Sequence, residues 1–138
     1  MWRIDWCVAV LAGAFLAPAA WADGSVDKLA RQEAAQRQAL EAAIGTPRCS
    51  ADSACWAVPV GARPCGGAED YLPASRETSA ATKVQALAKA HAATRKAQNA
   101  QGGRMGICMV LPEPAVRCAP STQRCELVDA AAGAATAR

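Results

Sequence analysis

The chain has 138 residues, room for one domain and not for two. Hydrophobic residues make up 52%, but 36 of them are alanine and aromatics are only 4%, which excludes a polytopic membrane protein and leaves little for a large core. A net charge of +3, from 15 basic and 12 acidic side chains, excludes a strongly basic nucleic-acid binder.

The first segment reads as an export signal. Met1 and Arg3 give a short positive start, Trp6 to Ala17 is apolar, Pro18 ends the run, and Ala20-Trp21-Ala22 is an A-x-A cleavage pattern. Residues 1–22 are therefore expected to be a signal peptide, with the mature chain starting at Asp23. The apolar run is about a dozen residues, whereas a spanning helix needs roughly 20. Cys7 lies too early for a lipoprotein anchor, and position 23 is aspartate. The expected mature product is periplasmic or secreted, with no membrane span.

Cysteine arithmetic agrees with that compartment. Cys7 leaves with the signal, and Cys49, Cys55, Cys65, Cys108, Cys118 and Cys125 remain. An even number in an exported chain predicts three disulfides. No C-x-x-C occurs, so a zinc knuckle or a thioredoxin-like redox site lacks its local signature. No metal or cofactor is expected.

One domain is expected over 23–129. Ser25 to Ile44 has helical periodicity, with Ser25 as N-cap, Asp27 in the first turn, and Val26, Leu29, Leu40 and Ile44 on one side. Glu33 and Arg37 stand at i,i+4 in the favourable order for an ion pair. Gly45 and Thr46-Pro47 stop the helix. Residues 48–75 form a cysteine-rich strand and loop region. Within it Trp56 to Val60 is a short strand that Pro59 confines to an edge, and Gly61 to Gly67 is turn material. A second helix spans 78–99, started by Ser75 or Thr78 and closed by Gly102-Gly103. Residues 105–129 hold the remaining strands: a central one over Met105 to Leu111, then a hairpin of 115–119 and 125–129 across Pro120 to Arg124. Residues 130–138 are an alanine-rich tail without a large apolar side chain, expected to be disordered. The fold class is α+β: two helices packed on a small antiparallel sheet of three or four short strands, stapled by disulfides. The most favoured bridge is Cys65 with Cys108. Cys49 and Cys55 then join Cys118 and Cys125, in an order the sequence leaves open.

The spacing Cys49-x5-Cys55, Cys65-Gly66-Gly67, Tyr71, Cys108, Pro112, Cys118 and Cys125 resembles that of small exported bacterial proteins of unassigned activity. The resemblance covers about Cys49 to Val128. Such proteins often carry proline after the two glycines and an aromatic near the end of the second helix; this chain has Ala68 and His91 there. The resemblance implies export and fold, and no chemistry.

Several residues invite a functional reading. His91, the single histidine, would need a nucleophile, carboxylate or second ligand to act as a base. Its own helix offers lysine, alanine and threonine, and it continues the Val84–Leu87 stripe, so a half-buried structural role is expected. Glu69-Asp70 are adjacent carboxylates expected to diverge into a solvated turn, and Asp52 is expected to form an Asx-turn. Gly66 and Gly67 serve turn geometry. The best binding element is the loop of Arg63, Pro64, Gly66 and Gly67, with Tyr71 behind it, because a stapled loop lowers the ordering cost of binding. No catalytic residue is expected. The functional expectation is a non-enzymatic protein that binds, or supports, an unidentified protein or envelope component. The alternative is a secreted inhibitor of a protease or other hydrolase acting through the Arg63 loop. Nucleic acid is not an expected partner, because only Trp56 survives as a tryptophan and the charge is low.

Overall fold

Alanine, glutamine, glutamate and arginine dominate the stretch before Gly45, and these residues have the highest helix propensities. In the computed structural model, which describes residues 20–103, 108 and 111–129, helix α1 spans Ala20–Ile44. It runs through the expected cleavage point, so Ser25 is an interior position and not the N-cap. Leu40 and Ile44 are buried, but Val26 is 55% exposed, so only the C-terminal half of the stripe meets the core. Gly45 ends the helix at φ 59°, its N–H donating to Glu41 O.

After a 3₁₀ turn at Asp52–Ala54, strand β1 (Cys55–Val60) pairs antiparallel with β2 (Asp70–Ser75), Val58 facing Leu72 and Pro59 facing Tyr71. Arg76 N–H donates to Ala54 O at 2.8 Å, just beyond the Cys55–Ser75 pair. In an antiparallel ladder that phase turns the even-numbered residues of β1 toward β2 and leaves Pro59 and Pro73 on the two outer edges. Neither proline removes a ladder hydrogen bond, and each blunts the edge it occupies.

Helix α2 (Ala81–Gly102) follows and ends on Gly103 at φ 56°. It starts later than expected because Ser75 and Thr78 do not cap it. Ser75 is buried at the end of β2, where its Oγ accepts from Glu77 N–H and its carbonyl accepts from Ser79. Helices α1 and α2 pack antiparallel: Gln32 meets Thr94, Glu33 meets His91, and Leu40 and Ile44 share a cluster with Val84 and Ala88. That cluster closes on Val58, Val60 and Ala74.

The last pair is the hairpin β3 (Ala115–Ala119) and β4 (Arg124–Val128), turned at Gln123 with φ 51°. The chain at 47–49 lies along its other side, where Cys125 N–H donates to Pro47 O and Cys49 N–H to Gln123 O. The fold class is α+β, but its four described strands form two separate two-stranded sheets, not one. Pro59 and Pro73 each withhold a donor from an outer edge of β1–β2, and the 47–49 segment already occupies the outer edge of β4. The expected central strand over 105–111 lies outside the described residues except for Cys108 and Leu111, neither of which is in a strand. Residues 1–19 of the expected signal segment and the expected tail 130–138 also lie outside them.

Sulfur joins the two ribbons. Cys55 of β1 bonds Cys125 of β4, while Cys49 bonds Cys118 and pins the 47–49 segment to β3; these cysteines with Ala54 and Val116 form a second small cluster. Cys65 bonds Cys108. The order left open by the sequence is thus Cys49 with Cys118. Each of the first two bridges spans about 70 residues, but with Cys49–Cys118 in place Cys55–Cys125 closes a ring of only about 15 residues, worth about 3 kcal/mol on loop-closure entropy. Replacing Cys55 and Cys125 together by alanine should therefore lower the unfolding free energy by about 2–4 kcal/mol. Chemical denaturation measures it, and an unchanged midpoint would show that this bridge adds nothing to the apolar cluster and the other two bridges.

Candidate functional site

The chain leaves β1 through Gly61, and the loop it enters is fixed from one side by α2. His91, Arg95 and Asn99 stand at i, i+4 and i+8 and so share one face of that helix. His91 Nδ1 accepts a hydrogen bond from Gly61 N–H at 3.2 Å. Arg95 grips Glu69 with two bonds, Nε to Oε2 at 2.9 Å and a terminal nitrogen to Oε1 at 2.7 Å. Asn99 Nδ2 donates to Ala62 O at 2.6 Å. The loop closes on itself through Arg63 N–H to Gly67 O and Gly66 N–H to Arg63 O, both 3.0 Å. The Cys65–Cys108 bridge anchors its tip.

Gly61 is required twice over. Its φ is 74°, and a Cβ there would overlap the Glu69 carboxylate, whose Cδ lies 2.9 Å from that position. Gly66 and Gly67 have φ of 97° and 82°, and nothing crowds Gly66, so backbone conformation alone explains it. The two hydrogen bonds to the Glu69 carboxylate hold the Arg95 guanidinium above its ordinary pKa.

His91 is fully buried, not half-buried, and it has the carboxylate its own helix does not supply. Glu33 Oε1 of α1 lies 2.7 Å from Nε2, and the histidine side chain is 2% exposed. Since Nδ1 accepts from Gly61, the ring proton belongs on Nε2, pointing at Glu33. A histidine base needs one ring nitrogen facing its substrate; here both nitrogens face the fold. With Glu33 so engaged, Arg37 pairs with Glu41 at 2.6 Å and approaches Asp70 at 3.7 Å, in place of the expected Glu33–Arg37 pair.

The other singled-out residues fall in scattered places. Glu69 and Asp70 diverge, but Glu69 is an ion-pair partner and not a solvated turn residue. Asp52 accepts a hydrogen bond from Cys118 N–H at 2.6 Å, tying the 3₁₀ turn to β3 instead of closing a local Asx-turn. Tyr71 is half-buried on β2 opposite Pro59, outside the loop. Arg63 is half-buried, whereas Pro64, Gly66 and Gly67 are exposed. The sulfurs of Cys49, Cys55 and Cys118 lie within 4.8 Å of one another. All three are in disulfides, which removes the thiolates a metal would need.

Between α2 and the β1–loop wall runs an open cleft of about 320 Å³. Trp56, Val58 and Ala62 form one side; Ala88 and Ala92 form the helix side, with Lys89 and Lys96 along the rim. The small side chains on α2 leave this space, and the ladder at His91, Arg95 and Asn99 holds the opposite wall in place. Neither the rim lysines nor the roles of Glu33, Gly61 and Arg95 follow from local sequence. The polar triplet at i, i+4 and i+8 was the visible signal.

No family model matches the chain, and no curated protein or solved structure is significantly similar to it.

Two substitutions test the ladder. His91→Ala leaves the Gly61 N–H and the Glu33 carboxylate without their partner and opens a void, so a loss of about 2–4 kcal/mol is expected. Gly61→Ala forces an L-residue to positive φ against Glu69 and should lose about 1–3 kcal/mol. Denaturation curves measure both. A His91→Ala protein as stable as the original would mean that the ladder does not hold the loop.

Proposed function

We propose that this is an exported, non-enzymatic binding protein that recognises a protein or envelope component through the cleft beside the Gly61–Ala68 loop. The supporting observation is the anchoring of that loop by three α2 side chains and a disulfide. A wall ordered before its ligand arrives keeps the ordering cost out of the binding free energy. The non-enzymatic part rests on His91: its two nitrogens are bound by Gly61 and Glu33, which leaves none to move a substrate proton. Export rests on the leader and on three disulfides.

The inhibitor reading is less well supported. Both Arg63 main-chain groups are used inside the loop, so the backbone beside the bait is not free to pair with a protease.

Two measurements bear on the proposal. The exported protein should begin at Asp23 by mass spectrometry; an intact leader on a membrane-bound product would remove the export reading. A photo-crosslinker at Ala92, inside the cleft, should form adducts in envelope extract, while one at exposed Ala34 of α1 should not. Adducts at Ala34 alone, or turnover in a hydrolase panel that disappears in His91→Ala at unchanged stability, would overturn the binding reading.

A further inference from the structure

The cleft has a chemical bias that narrows its occupant. No aspartate or glutamate lines it, and its polar rim consists of Gln85, Lys89 and Lys96. Among the described residues neither lysine has an ion-pair partner. The nearest loop carboxylate, Glu69, is taken by Arg95. Lys89 and Lys96 are exposed and lie two turns apart on one face of α2, about 10.5 Å along the axis at 1.5 Å rise per residue. The floor between them is apolar: Ala88, Ala92, Val58 and the edge of Trp56. The Trp56 indole N–H is a buried donor with no acceptor among the described residues.

We infer that the cleft binds an extended acidic peptide segment in the polyproline II conformation. This rests on the reading of the cleft as the binding site and names its ligand class. The charge follows from the two rim lysines and the absence of any opposing carboxylate. The extended conformation is compatible with the spacing. A polyproline II segment returns to the same face every third residue, about 9.3 Å on, close enough to the step of about 10.5 Å for the flexible side chains of Lys89 and Lys96 to meet carboxylates three residues apart, while the residues between them lie on the alanine floor. A β-strand addition is blocked, because the outer edge of β1 carries Pro59, which has no N–H to offer.

The test is fluorescence polarisation with a labelled peptide repeating Glu-Pro-Ala, against the same repeat with glutamine for glutamate. The glutamate peptide should bind at least about tenfold more tightly, and its affinity should fall as salt rises. Reversing both charges, Lys89→Glu with Lys96→Glu, should remove about tenfold or more in affinity, with circular dichroism unchanged because both lysines are exposed. Ala92→Trp, which fills the floor, should abolish binding of either peptide. Equal binding of the two peptides, or binding insensitive to charge reversal, would overturn the inference. So would displacement of crosslinks at Ala92 by a fatty-acid carboxylate but not by the peptide. Ala92 crosslinks that persist without peptide binding would defeat the ligand class and leave the binding reading standing; loss of both would defeat the two together.

Discussion

His91 sits where three parts of the chain meet, and the rest of the structure depends on how its ring is shared. One nitrogen takes the N–H of Gly61 and the other meets Glu33 of α1. The ring thereby joins both helices to the end of β1 at a single buried point. An unpaired polar group at such a point is expensive, since desolvation strengthens each bond and each vacancy alike. Beside it, Gly61 is held at positive φ against the Glu69 carboxylate, Glu69 folds back on Arg95, and the loop between them follows one path. The polar stripe continues along α2 to Asn99, so the helix acts as a template on which the loop is laid.

Elsewhere the structure replaces apolar volume with sulfur. The main cluster is built from Leu40, Ile44, three valines and two alanines, which is little for a domain of this size. No backbone pairing joins the ribbon β1–β2 to the ribbon β3–β4, and the Cys55–Cys125 bridge makes the connection instead, while Cys49–Cys118 pins the 47–49 segment to β3. Asp52, bonded to the Cys118 N–H, and the 47–49 segment, bonded to β4, add polar ties at the same junction. The region that joins the two ribbons is thus stapled, while the region facing the cleft is aligned by polar contacts on a helix.

Local patterns made part of this legible. Helical periodicity and the glycine stops located both helices to within a few residues, and the turn-rich stretch before Arg124 located the last hairpin. Strand β2 was not readable, because Asp70-Tyr71-Leu72-Pro73 has no alternation and contains a proline; only the pairing phase shows that Pro73 faces outward. The partnership of Glu33 with His91 spans 58 residues, and that of Asp52 with Cys118 spans 66. No local pattern encodes such pairs, so a carboxylate absent from the histidine's own helix could not be foreseen. The sequence marked the loop around Arg63 for its stapling, whereas the cleft lies beside that loop and takes its charge from lysines that read as ordinary helix surface.

The central claim is that the Gly61–Ala68 wall is rigid in the free protein because α2 holds it. Amide hydrogen exchange at Gly61 measures this most directly, since its N–H is the one bonded to His91. The expected result is protection comparable to that of the core strand at Val58, together with a ¹⁵N signature of His91 carrying its proton on Nε2. Exchange at Gly61 as fast as at the exposed loop tip would contradict it and would mean that the wall forms only when something binds.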